Sequence, residues 1–263
     1  MSAASTVEPS STLLEVTEVT KAFGGQRAVD GISFALRRGS ITGLIGPNGA
    51  GKTTLFNCLS GALKPGSGRV ELAGIDITGS GPERVFAAGM ARTFQIPRPF
   101  AAMSVLENVM LAPRAQLGER FWANWLQPRA VAAQEARTRA QAMHWLDFVG
   151  LAKLAHEPAR VLSGGQRKLL ELARVMAAQP QLVLLDEPAA GVNPALLALI
   201  VGRIEELNAQ GVSFLIIEHN MELVSRLCHP VMVMAQGQML AQGDAATVLN
   251  DPRVVEAYLG TTA

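Results

Sequence analysis

Gly46-Pro47-Asn48-Gly49-Ala50-Gly51-Lys52-Thr53 follows the apolar run Ile41-Thr42-Gly43-Leu44-Ile45 and precedes Thr54-Leu55-Phe56-Asn57-Cys58-Leu59. The stretch fits Gly-x-x-x-x-Gly-Lys-[Ser/Thr] at every fixed position, and it lies between a strand and a helix, as that pattern requires. A glycine-rich turn at that place aims the first free N–H groups of the helix at an anion. Gly49 and Gly51 let the backbone curl around phosphates without a Cβ in the way. Lys52 offers a point charge to the β- and γ-phosphates, and Thr53 offers a hydroxyl to Mg²⁺. Residues Gly46 to Thr54 therefore read as a nucleotide triphosphate site.

Outward from this stretch, the upstream segment Leu14 to Leu36 carries alternating apolar residues around a Gly24-Gly25 turn, which predicts short, mostly antiparallel strands. Phe23 stands just before that turn, where an aromatic ring either packs in a core or stacks on a purine base. Downstream, Pro65-Gly66-Ser67-Gly68 breaks the chain before a strand around Arg69-Val-Glu-Leu-Ala. Pro82 then opens a short helix to Ala88, and Ala91-Arg92-Thr93-Phe94-Gln95 returns as a strand. The region from about residue 97 to 150 is punctuated by prolines, and Ala130 to Val149 is rich in Ala, Gln, Arg and Leu, as a long helix is. Phe121, Trp122 and Trp125 are spaced to form one face of a short helix there, suited to packing inside the subdomain or to docking on something apolar.

Leu162-Ser163-Gly164-Gly165-Gln166 opens a second helix, read from Leu169 to Ala178 and capped by Ser163. Leu182-Val183-Leu184-Leu185 is a continuous apolar run of the kind buried on both faces of a parallel sheet, and it stops at Asp186-Glu187. The helix Pro194 to Ala209, the strand Ser213 to Ile217, Glu218-His219 and a further helix continue a βα rhythm, which implies a parallel sheet with helices outside. Val231 to Met234 and Met239-Leu240 read as a small strand pair, with helices completing the chain to residue 263.

Carboxylates at the end of a buried strand are costly unless paired or metal-bound. In a phosphate-loop ATPase, Asp186 would complete the Mg²⁺ shell with Thr53, and Glu187 would polarise the attacking water. His219 is placed to sense the γ-phosphate. Ser163 to Gln166 form a second anion cradle, which one chain with one nucleotide does not need. The economical solution gives it to the nucleotide of another subunit, across a two-fold interface.

Composition narrows the class. At 263 residues, 49% of them hydrophobic and 17% charged, the chain folds as one α/β domain with an inserted subdomain. A net charge of +1, with no basic tract, gives no sign of a nucleic-acid partner. Cys58 and Cys228 lie far apart among apolar residues and read as buried free thiols. Residues 1–12 read as a loose tail without signal-peptide character. No apolar run approaches the roughly 20 residues that span a bilayer, so partners must hold the chain at any membrane.

The order of these motifs resembles the ATP-binding subunit of ATP-binding-cassette transporters over nearly the whole chain. Gly46 to Thr53 is similar to the Walker A motif, Leu162 to Gln166 to the family signature, and Leu182 to Glu187 to the Walker B motif. Gln95 matches the glutamine of the loop facing the membrane subunits, and His219 the switch histidine. The resemblance implies a P-loop NTPase core over 13–263, with an N-terminal antiparallel β subdomain, a helical subdomain at about 97–180 and helices over 240–263. It implies ATP and Mg²⁺ as cofactors. Glu187 is then the general base, with Lys52 and His219 assisting. Gln95, Thr53 and Asp186 serve the metal, and Phe23 stacks on adenine. Ser163, Gly164, Gly165 and Gln166 reach the ATP of the opposing subunit. Two departures stand out. Phe23 replaces the commoner Tyr, and Ala190-Gly191-Val192-Asn193 replaces Ser-Ala-Leu-Asp, which puts the usual cross-interface aspartate contact in doubt.

Within that family, Ala91 to Gln95, Glu187 to Pro194, Ile217 to Met221 and Asp251 to Gly260 look like the branched-chain amino acid importer group. Urea and short-amide importers and the lipopolysaccharide-export ATPase share much of this. The implied partners are a second ATP-binding subunit, two integral permease subunits and, indirectly, a substrate-binding protein, at the cytoplasmic face of the inner membrane. Soluble cassette ATPases acting on DNA or ribosomes are a rival class. They usually carry a long coiled-coil insertion or two cassettes in one chain, and neither is present.

Overall fold

A computed structural model describes residues 12–93, 99–113 and 128–259. Of the expected tail over 1–12, residues 1–11 lie outside the described residues, as do Gln95 and the Phe121, Trp122 and Trp125 segment, while Thr12 is not tail but the first residue of a strand.

Strands β1 (Thr12–Phe23) and β2 (Gln26–Arg37) pair antiparallel, with Val16 opposite Phe34. They are twelve residues each, longer than the short strands expected, with Leu14, Val16 and Val19 of β1 and Val29, Ile32, Phe34 and Leu36 of β2 buried in the core. With β4 (Ser67–Leu72) and β5 (Ile75–Asp76) they form a four-stranded sheet in the order β2-β1-β4-β5.

The second sheet contains β3 (Ile41–Ile45), β6 (Met90–Arg92), β7 (Leu182–Asp186), β8 (Ser213–Ile217), β9 (Val231–Ala235) and β10 (Gln238–Gly243) in the order β10-β9-β3-β8-β7-β6. All its pairings are parallel except β9 with β10. β3, β7 and β8 are buried at every position, as continuous apolar runs covered on both faces require.

The two faces of this sheet bury different cores. Leu44, Leu182, Leu184, Leu215 and Ile217 face helix α1 (Lys52–Leu59), which is sandwiched between the two sheets by Leu55, Phe56 and Leu59. Phe56 is fully buried there, a contribution of about 1.5–3 kcal/mol. Ile45, Val183, Leu185, Phe214 and Ile216 face the helical layer.

That layer holds α3 (Val105–Met110), α4 (Pro128–Phe148), α5 (Gly164–Ala177), α6 (Pro194–Ala209) and α7 (Met221–Leu227), while α2 (Pro82–Ala88) precedes β6. Helix starts follow local chemistry. Pro occupies the first turn of α2 and α6, where its missing N–H costs nothing. Ser104 with Glu107, and Ser163 with Gln166, form reciprocal capping boxes at α3 and α5. α5 therefore begins at Gly164, five residues before the expected Leu169. The chain ends with α8 (Ala245–Leu249) and α9 (Pro252–Leu259), so the C-terminal helices begin at Ala245 rather than 240, β10 claiming the intervening residues.

Both cysteines are buried and free, Cys58 in α1 and Cys228 one residue past the end of α7. Cys228 lies so close to β3 that a Cβ on Gly43 would stand 3.0 Å from its own. Burial raises both thiols, Cys228 to about 12. Neither should be nucleophilic at neutral pH. In the folded protein, reaction with a disulfide reagent is expected to be at least about 10³-fold slower than for a free thiol, since only unfolding exposes the groups. Two equivalents should react at once in denaturant. A fast native phase would contradict this packing.

Candidate functional site

Ligand sites in open parallel sheets lie beyond the carboxyl ends of the strands. Here four adjacent parallel strands each deliver part of one site. β3 runs into Gly46 to Thr53, β8 into Glu218 and His219, β7 ends in Asp186 and Glu187, and β6 ends in Arg92, three residues before Gln95.

The phosphate loop has the conformation its glycines permit. Gly51 is the N-cap of α1 at φ 97, and a Cβ there would sit 2.1 Å from the Ala28 carbonyl oxygen. Only glycine fits. No side chain caps α1, so its first N–H groups are left for a ligand. Lys52 folds back over the loop, donating from Nζ to the carbonyls of Gly46 at 2.6 Å and Pro47 at 2.9 Å. Burial lowers its pKa, and the nearby carboxylates of Glu187 and Asp186 partly offset that. Asn48, Gly49 and Thr53 are exposed, and Thr54 is half-buried.

The β7–β8 register places the acids. Asp186 pairs with Ile217, and the Glu187 N–H donates to the Ile217 carbonyl at 2.9 Å, so Glu187 lies beside the residues that follow β8. Its Oε1 is 3.0 Å from His219 Nε2. Glu187 has φ 50, in the left-handed region, a conformation that costs about 1–3 kcal/mol in a non-glycine residue and persists only where the surroundings fix it.

Asp186 faces the other way. Its Oδ2 accepts from Arg92 Nη2 at 3.0 Å, with the Asp186 side chain buried and that of Arg92 mostly so. Arg92 also donates from Nη1 to Asn57 Oδ1 at 2.5 Å and to Ser60 Oγ at 3.2 Å, both on or just past α1. The acid expected to serve the metal is thus already charge-balanced from the neighbouring strand. Sequence reading missed Arg92. Its signal is a lone guanidinium in an otherwise apolar strand next to an acid-ended one.

Glu218, 3% exposed, accepts the Ala189 N–H at 2.7 Å and those of His219 at 3.0 Å and Asn220 at 3.3 Å. Lys168 donates to the carbonyls of Glu187, Pro188 and Ala190. Both were unassigned in the sequence.

The second cradle is separate. Ser163 Oγ accepts the Gln166 N–H, and Gln166 Oε1 accepts the Ser163 N–H. The Ser163 hydroxyl proton and the Gly164 and Gly165 amides remain for an outside acceptor. A Cβ on Gly165 would strike the Leu196 side chain, which would have to move to admit it. Gly164 would meet nothing within 4 Å, and no neighbour in this chain requires it.

Phe23 is 51% exposed, with Lys21 Nζ 5.5 Å from its ring centre, so the core-packing alternative is set aside. Asn193 Oδ1 caps α6 by accepting the Leu196 N–H at 2.9 Å.

Comparison with known proteins agrees with this geometry. Residues 29–190 match the family described as ABC transporter, and residues 238–263 match that described as branched-chain amino acid ATP-binding cassette transporter. The chain is 41% identical over 252 residues to the probable branched-chain amino acid transport ATP-binding protein LivG of Archaeoglobus fulgidus, covering 94% of this chain and 95% of that one. It is 38% identical to the high-affinity branched-chain amino acid transport ATP-binding protein BraF of Pseudomonas aeruginosa, covering 94% and 98%. A nucleotide-free ATP-binding cassette from an ABC transporter superposes with a TM-score of 0.81 at 37% identity, over 94% of this chain and 98% of that one. The chain belongs to the ABC transporter family, among the ATP-binding proteins of branched-chain amino acid transport.

Proposed function

We propose that this chain binds and hydrolyses ATP as half of a dimer and so drives import of a small solute, branched-chain amino acids, through two membrane permease subunits fed by a substrate-binding protein. The observation that carries this reading is the convergence of Lys52, Asp186, Glu187 and His219 at the carboxyl ends of adjacent parallel strands, with the second cradle at the start of another helix, α5.

The residues suit the nucleotide. Lys52 exchanges its two loop carbonyls for phosphate oxygens, and the uncapped amides of α1 receive the same anion. Phe23, exposed at the end of β1, presents its ring to the adenine. The Thr53 hydroxyl, the Asp186 carboxylate and Gln95 offer hard oxygen donors of the kind Mg²⁺ takes. When bound, Mg²⁺ neutralises charge building on the phosphates. Glu187 accepts the proton of the attacking water, and His219 fixes the carboxylate and reaches for the γ-phosphate.

Ser163 to Gln166 serve the nucleotide of the partner subunit. Gly164, free of any packing duty in its own chain, leaves room for that approach. Among the described residues no helix is long and apolar enough to cross a membrane. We place its work at the cytoplasmic face of the inner membrane, with the permeases holding it through the segment around Gln95.

Glu187→Gln is expected to lower kcat by about 10²–10⁴-fold, the contribution of a general base, while ATP still binds and an ATP-dependent dimer accumulates in size-exclusion chromatography. Hydrolysis at the normal rate in that variant would remove Glu187 from the role. Ser163→Arg, which fills the second cradle, should abolish both the dimer and hydrolysis yet leave ATP binding to the monomer within about two-fold. Survival of hydrolysis would show that the cradle does not act across subunits.

A further inference from the structure

The loop from Glu187 to Ala190 is gripped from two sides by opposite charges. On one side, Lys168 Nζ donates to the carbonyl of Glu187 at 3.0 Å, of Pro188 at 3.1 Å and of Ala190 at 2.6 Å. An ammonium has three donors, and all three are used on this one loop. On the other side, Glu218 accepts the Ala189 N–H and, through its second oxygen, the N–H groups of His219 and Asn220. The backbone of four consecutive residues, including one in the left-handed region, is thereby held in place.

Burial of Lys168 disfavours its charge, and the nearby carboxylates of Glu218, Glu187 and Glu171 offset part of that cost. An amine kept half-buried among carbonyls, with no carboxylate in hydrogen-bond contact, holds a backbone rather than an ion pair. Its own place in the chain gives this grip a second consequence. Lys168 is on α5, five residues after Ser163, so about 7.5 Å of rigid helix separates the cradle from the amine.

Resting on the dimeric ATPase reading above, we propose that Lys168 is a positioning residue for hydrolysis, pinning the backbone of Glu187 to the helix that carries Ser163 to Gln166. Engagement of that cradle by the partner subunit's nucleotide then sets the base that acts on this subunit's own nucleotide. Lys168 touches neither. It makes the two sites of the dimer dependent on each other through a single helix, and Glu218 holds His219 and Ala189 in the matching register.

The test compares Lys168→Met and Lys168→Arg in ATP binding and steady-state hydrolysis, each variant also being combined with Glu187→Gln. Methionine fills similar space but takes the donor from the Pro188 and Ala190 carbonyls and leaves that of Glu187 with the Ala190 N–H alone, whereas arginine keeps the charge and several N–H groups. Lys168→Met is expected to lower kcat by about 100-fold, the loss that a small misplacement of a catalytic group produces, with ATP affinity changed by less than about two-fold. Lys168→Arg should restore most of the rate. The Glu187→Gln/Lys168→Met double variant should still form the ATP-dependent dimer, because the cradle is intact.

Wild-type kcat in Lys168→Met, an equal loss of ATP affinity, or no rescue by arginine would overturn the proposal. So would loss of the trapped dimer in the double variant when Glu187→Gln alone forms it, since Lys168 would then be supporting the cradle and not the base. Failure of the underlying reading is seen separately, in Glu187→Gln with Lys168 intact. Normal hydrolysis there, or no dimer, removes the base or the dimer and the proposal with it.

Discussion

The pairing of Asp186 with Ile217 across β7 and β8 is the constraint on which the site depends. Side chains alternate faces along a strand, so a slip of one residue would turn Asp186 from α1 toward the helical layer. The apolar residues set that register. Leu182 and Leu184 must reach the core around α1, and Val183 and Leu185 the core around α5 and α6. Once they do, Asp186 inherits the α1 face, and the Glu187 N–H meets the Ile217 carbonyl at the last rung of the ladder. The catalytic arrangement is thus a by-product of where leucine and valine are buried.

Such an arrangement gathers charge where water is scarce, and each charge has its own compensation. Asp186 takes a guanidinium from β6, Glu218 takes three backbone amides, Glu187 takes an imidazole, and Lys52 and Lys168 take carbonyls. Removing one partner of a buried pair such as Arg92 and Asp186 costs about 3–5 kcal/mol, far more than any exposed pair contributes. Arg92 also bonds Asn57 on α1, the helix that begins with Lys52 and Thr53. One guanidinium therefore fixes the distance between the two elements expected to share the metal.

The sequence made much of this legible because local rules governed it. Continuous apolar runs announced β3, β7 and β8, and Pro194 to Ala209 and Ser213 to Ile217 fall where periodicity and proline placed them. The phosphate loop was visible because glycine, lysine and threonine must stand at fixed spacing to surround a phosphate. The partners that complete the site were not visible. Arg92 and Asp186 are far apart in the chain, and nothing local distinguishes the Lys168 amine from the exposed cations around it. Tertiary pairing alone decides them. Glu218 shows the same limit, since its neighbour His219 drew attention while the buried carboxylate organises both flanking loops. Phe23 was ambiguous because an aromatic at a strand end has no periodic partner, and only the fold shows that its ring lies outside.

The two glycine-rich helix starts look alike in sequence and differ in what they leave free. α1 begins at a left-handed glycine with no capping side chain, so its amides have no partner until an anion arrives. α5 begins with a capping box, in which Ser163 and Gln166 satisfy each other and only the first amides and a hydroxyl proton remain. The first start leaves its amides open to an anion within the chain. The second is stable without one and keeps an unfilled space above Gly164. A helix end that needs no ligand to fold, but has room for one, suits a surface that meets its ligand intermittently. Joined through Lys168 to the loop of Glu187, that intermittent contact reaches the chemistry of a site to which the cradle does not itself belong.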